Sequence, residues 1–172
     1  MMTVASTVDK YIIARAGKAI ARLKKAAITV VTAESCTAGL IAAALARGEG
    51  ASDVLQGGFI TYMKEQKRRA LRISKSFLKK EGSVTAMIAE SMAKGALTHS
   101  QADVALSITG VLGPNCDEDG NPVGLVFICC AGRGKKPVTV RKSYGRQSHD
   151  QLRRKAVLDA LKLLTTSVGR RG

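Results

Sequence analysis

Four consecutive residues, Glu34, Ser35, Cys36 and Thr37, place a carboxylate, two nucleophiles and a second hydroxyl at one point in the chain. They follow the apolar run Ala27-Ile28-Thr29-Val30-Val31 and precede an Ala-rich stretch that reaches Arg47. A strand that feeds directly into a helix sets such side chains beside unpaired helix N–H groups, which stabilise negative charge. That geometry suits a nucleophile or an anion site. It also suits an ordinary N-cap, because Ser and Thr are favoured there for structural reasons alone. A nucleophilic serine needs a base, and a lysine serves when desolvation or neighbouring cations lower its pKa. Lys67 stands five residues after Tyr62 in a cluster with Lys64, Arg68 and Arg69, whose mutual repulsion favours a neutral amine.

The other reactive residues offer less. Of the two histidines, His99 is expected at the exposed end of a helix, complementing its dipole, and His149 at the start of the last helix. A Ser-His-Asp triad is therefore poorly supplied. Asp117, Glu118 and Asp119 sit together in a Gly-flanked stretch that reads as a solvated turn. The four cysteines, at 36, 116, 129 and 130, show neither a CxxC pair nor ligand spacing, so reduced thiols and no metal site are expected. Cys129 and Cys130 should point to opposite faces of a strand. Walker A, G-x-G-x-x-G, H-E-x-x-H and G-x-S-x-G patterns are all absent.

The elements that must position these groups follow from periodicity. Residues 7 to 25 carry Val8, Ile12, Ala16, Ala19, Ile20 and Leu23 at helical spacing. A strand at 27 to 31 comes next, then a helix from Thr37 to Arg47 that stops near Gly48 and Gly50. Val54 to Tyr62 reads as a second strand, with a bulge or close backbone approach at Gly57-Gly58. Met63 to Leu71 can form a short basic helix, and Thr85 to Thr98 a longer one. Asp103 to Thr109 reads as a buried strand, Gly110 to Pro122 as an irregular loop, Val123 to Cys130 and Val138 to Tyr144 as a hairpin. Ser148 to Thr166 closes the chain as a helix. This order predicts one α/β domain spanning residues 1 to 172, a three-layer α/β/α arrangement with a mixed sheet. In a parallel arrangement Ser35, Tyr62 and the Thr109-Gly110 turn reach one edge, where open α/β sheets bind ligands.

Composition bounds the setting. The 172 residues are 45% hydrophobic and carry a formal charge of +15, a field that attracts polyanions or phosphate-bearing metabolites. Basic residues fall in three groups, six from Lys10 to Lys25, eight from Lys64 to Lys80 and nine from Arg133 to Lys155, dispersed among apolar residues. Aromatic residues are 3% of the chain and Trp is absent, so stacking platforms for single-stranded nucleic acid are scarce. No apolar run approaches the ~18 to 20 residues of a membrane span. A soluble, cytoplasmic protein without a membrane partner is expected.

The ordered blocks "TAESCTAGL", "GASDVLQGGFITYMKEQK", "GSVTAMIAESMAKGAL", "ADVALSITGVLGP" and "PVGLVFI" resemble the C-terminal domain of the CinA competence-damage-inducible family, from about residue 8 to 165. The resemblance implies an amidohydrolase that deamidates nicotinamide mononucleotide to nicotinate mononucleotide and ammonia, needing no cofactor and no metal. Carried over residue by residue, the catalytic serine falls on Ser35, the tyrosine on Tyr62 and the lysine on Lys67. Substrate contacts fall on Glu34, Thr37, Gly39, Thr109 and Gly110, with Arg146 and His149 near the final helix. The expected partner is a small nucleotide, and a homo-oligomer is expected. Three departures stand out. Ala38 replaces a second glycine, "GPNCDEDGNPVG" replaces a more Gly-rich loop, and Gln147-Ser148-His149 aligns with the family's Gly-Asp-Arg. A basic nucleic-acid or competence-related binding module is the alternative reading.

Overall fold

The computed structural model describes residues 4–168, with side chains from Lys10 onward, so Val8's place in the first apolar stripe lies outside the described side chains. Helix α1 (Val4–Ala26) buries Ile12, Ala16, Ala19, Ile20 and Leu23, as its spacing predicts. It ends because Ala27 adopts a left-handed conformation, φ 50°. The N–H of Ile28 then donates to the carbonyl of Leu23 at 3.0 Å, satisfying a carbonyl the helix leaves open. This termination uses up the residues expected to begin the first strand. Strand β1 is Val30–Glu34, and all five residues are buried.

The sheet has the order β2-β1-β3-β4-β5, with β2 spanning Leu55–Ile60, β3 Val104–Gly110, β4 Leu125–Gly132 and β5 Val138–Ser143. Strands β1, β2 and β3 are parallel, β4 pairs antiparallel with β3, and β5 pairs antiparallel with β4. The glycine pair in β2 lies where expected for an irregularity. Val30 pairs with Leu55 and Val31 with Gly57, leaving Gln56 as the extra residue of a bulge. A Cβ on Gly58 would collide with Thr32 Oγ1 and approach Ala42 to 3.4 Å. Glycine here lets α2 (Leu40–Leu45) sit close against the strands.

Helices cover both faces. On one side α1, α2 and α6 (His149–Val168) pack on Val30, Leu106, Ile108, Ile128 and Cys130. On the other α3 (Lys64–Leu71), α4 (Lys75–Glu81) and α5 (Ala86–Thr98) meet Val31, Ala33, Ala105, Cys129 and Ala131. Cys129 and Cys130 thus enter opposite cores, as strand alternation requires. The sheet face under α5 is built of small residues, which lets that helix lie close. Gly95 continues the close approach, since a Cβ there would stand 2.8 Å from Leu71 Cβ. Helix α4 is absent from the periodicity reading. It is seven residues long, starts at the Ser74 cap, whose hydroxyl accepts from Phe77 N–H at 3.2 Å, and buries Leu78.

Candidate active site

The C-terminal ends of the three parallel strands meet at one edge of the sheet. β1 delivers Ser35, β2 delivers Thr61 and Tyr62, and β3 delivers Thr109 and Gly110. With α3, α4 and the loop after β3 they enclose a cleft of about 770 Å³, within the range of small-molecule sites. Strand alternation decides what faces it. Thr32 and Glu34 turn toward α2, and Ser35 turns toward α3.

Lys67 comes from α3, a helix of mostly charged residues, yet it is 1% exposed. It shares the inner face of α3 with Leu71, one turn on. Its Nζ lies 2.9 Å from Ser35 Oγ, 2.9 Å from the carbonyl oxygen of Thr61 and 3.3 Å from that of Tyr62. Burial, opposed in part by Cys36 and aided slightly by nearby Lys64, pulls its pKa down to about 8. The cause differs from the sequence expectation. Arg68 and Arg69 are exposed and paired with Glu65, so desolvation, and not a crowd of cations, favours the neutral amine. A neutral amine has two protons and one lone pair. With both protons given to the Thr61 and Tyr62 carbonyls, the lone pair is left for the Ser35 hydroxyl. Thr61 is the contributor that sequence reasoning missed, because it acts through its backbone.

Cys36 is buried, and burial pushes its thiol up to about 12. It is a poor nucleophile beside Ser35. Tyr62 supplies its carbonyl to Lys67, and that oxygen lies 3.4 Å from Ser35 Oγ. Its ring is 61% exposed at the cleft mouth, and its hydroxyl has no hydrogen-bond partner among the described residues.

Glu34 has a different place from the substrate contact expected of it. The carboxylate is fully buried and accepts from Thr37 Oγ1 at 2.6 Å, Ala42 N at 2.8 Å, Gly39 N and Ile41 N at 3.0 Å, and Thr32 Oγ1 at 3.2 Å. Three of these donors are the open N–H groups at the start of α2. Thr37 and Gly39 therefore belong to a carboxylate cap behind the nucleophile, outside the cleft lining. Gly39 takes φ 94° at the N-cap, a conformation suited to glycine. The expected helix start at Thr37 is replaced by this turn. Thr109, Gly110 and His149 do line the cleft. The Thr109 hydroxyl is engaged by the carbonyl of Ser83 at 2.8 Å, and His149 stands exposed, its Nδ1 3.8 Å from Asp150. Arg146 is exposed and outside the lining.

The loop from 111 to 124 forms one wall. Asp117 organises it, accepting from Asn121 N at 2.7 Å, Asn121 Nδ2 at 2.9 Å and Asp119 N at 3.1 Å. Asp119 accepts from Ser83 N at 3.0 Å and pairs with Lys64 at 3.2 Å, and Glu118 also pairs with Lys64. The acidic run expected to be a solvated turn is a latch between this loop and α3. Cys116, in the same loop, is exposed. Among the described residues no cluster of His, Cys, Asp and Glu is arranged to hold a metal ion, and no helix is long and apolar enough to cross a membrane.

A family model for the CinA C-terminal domain matches residues 13–168. The chain belongs to the CinA family. A competence-damage inducible protein of Caldicellulosiruptor bescii is 39% identical over 144 residues, 83% of this chain and 35% of that protein. The chain thus spans about a third of the length of the curated relatives it matches. Among solved structures, the competence/damage inducible protein CihA from Agrobacterium tumefaciens superposes with a TM-score of 0.87 at 34% identity, covering 93% of this chain and 96% of that one. Competence damage-inducible protein A from Klebsiella pneumoniae gives 0.88 at 28% identity, covering 94% and 99%. The CinA match includes Ser35, Lys67 and the cap cluster, and it extends through α6.

Proposed function

We propose that this CinA domain is an amidohydrolase that uses a Ser35–Lys67 pair to hydrolyse the carboxamide of nicotinamide mononucleotide. The observation that carries the reading is the 2.9 Å approach of a buried, readily neutral lysine amine to the serine oxygen. Ser35 Oγ attacks the carboxamide carbon as its proton passes to Lys67 Nζ. The tetrahedral oxyanion sits near the N–H groups of Cys36 and Thr37, which follow the nucleophile and have no acceptor among the described residues. When the C–N bond breaks, the Lys67 ammonium gives its proton to the departing nitrogen, releasing ammonia and leaving an ester on Ser35. Water then attacks that ester. Its proton goes to Lys67 and on to Ser35 Oγ, and nicotinate mononucleotide leaves.

Lys67 is held for this by the Thr61 and Tyr62 carbonyls, which fix its rotamer. The Tyr62 ring at the mouth is available to close over a bound pyridine. The basic cleft supports a phosphate-bearing substrate. The test is ammonia release from nicotinamide mononucleotide by the wild-type chain and by Ser35→Ala. Release that depends on Ser35 supports the proposal, and its absence from the wild type rejects this substrate.

A further inference from the structure

Resting on the amidohydrolase reading above, we propose that Lys75 and Lys79 of α4 form the wall of the cleft that holds the substrate's phosphate. The two are one helical turn apart, so they lie on the same face of α4, and both line the cleft. The charge inventory singles them out. Of the carboxylates lining the cleft, Glu65 is taken by Arg68 and Arg69. Glu118 is taken by Lys64, and Asp117 by the N–H groups of its own loop. Lys67 is buried against Ser35 and disposed to be neutral. Lys75 and Lys79 are exposed and have no hydrogen bond or ion pair among the described residues. Their neighbour Lys80 differs, since it pairs with Glu81 at 3.6 Å.

Two like charges a turn apart repel each other, and a phosphate monoester dianion placed between them relieves that repulsion. The position also fits the substrate's polarity. The carboxamide must reach Ser35 at the strand ends, so the phosphate must extend away from it, along the cleft wall. The arginine expected to read the phosphate, Arg146, is not on any wall of the cleft. In this chain the anion contact has moved to α4.

Binding tests this separately from turnover. In a Ser35→Ala background, affinities for nicotinamide mononucleotide, nicotinamide riboside and inorganic phosphate are compared with and without Lys75→Ala and Lys79→Ala. Each lysine removed is expected to weaken mononucleotide binding about tenfold and to leave riboside binding unchanged. Arg146→Ala is expected to change neither. Equal mononucleotide affinity with and without the lysines overturns the phosphate wall and leaves the amidohydrolase reading intact. Lysine-dependent phosphate binding in a chain whose wild type releases no ammonia rejects the amide substrate and keeps the anion wall. Both lysines are exposed, so circular dichroism of the variants should match the wild type.

Discussion

At the scale of single residues, chemistry depends on which of two adjacent nucleophiles is usable and on the state of one amine. Ser35 touches Lys67, whereas Cys36 is held as a neutral thiol by burial. Ser35→Ala should therefore reduce ammonia release by at least about 10³-fold, and Cys36→Ala should retain most activity. A live Ser35→Ala enzyme would end the serine mechanism. Lys67 as base predicts a rate that rises with pH through about 8 and then levels off. Lys67→Arg keeps the charge and loses the base, so it should be inactive across that range. The same amine marks stability. Its folded pKa lies below the unfolded value of 10.5, so the unfolded chain binds more protons between about 8 and 10.5. The charged form's burial penalty is fully present below pH 8 and fades as pH rises to 10.5. Relative to Lys67→Met, the wild type should gain on the order of 3 kcal/mol across that window, read from urea midpoints at each pH. Parallel profiles would show that the lysine is not desolvated.

At the scale of elements, the Glu34 cap ties the end of β1 to the start of α2 and thereby fixes where Ser35 points. Glu34→Ala leaves three backbone N–H groups and two hydroxyls without their acceptor, which should cost about 3 kcal/mol. Denaturant unfolding measures this, and an unchanged midpoint together with a raised KM would return Glu34 to the substrate. The alternation of strands and helices and the parallel core were legible in the sequence, because burial imprints periodicity on β1, α1, α5 and α6, whereas Lys67 stood out only by its cationic neighbours and the family resemblance, and its burial left no signal. The boundaries on either side of β1 were less so. Ala27 in a left-handed turn delays β1, and the cap shortens α2, and neither leaves a periodic signal. Helix α4 is too short and too basic for periodicity to register, although Ser74 and the Leu78 contact define it physically. The roles of Thr61 and Tyr62 were hidden because carbonyls act there, and every residue has one.

At the scale of the whole molecule, the surplus of +15 is spread along the chain and reaches the cleft through Lys64, Arg68, Lys75 and Lys79, beside Glu65, Asp117 and Glu118. Substrate capture through a localised phosphate contact should weaken only modestly with salt. A duplex binder neutralising six to ten phosphates would lose about 10³ to 10⁵ in affinity between 50 and 200 mM salt. Titration of labelled DNA at physiological salt is expected to show no submicromolar binding, and tight binding there would favour a nucleic-acid module. The distribution of sulfur has a practical side. Cys36, Cys129 and Cys130 are buried, with burial raising their thiols to about 12, 11 and 11, and only Cys116 is exposed. A maleimide dye should thus add once to the native chain and four times after denaturation, as counted by intact mass. The single adduct would stand two residues from Glu118, on the loop that Lys64 latches across the cleft, so the unmodified sequence already offers a unique attachment point for a dye that reports that wall's position.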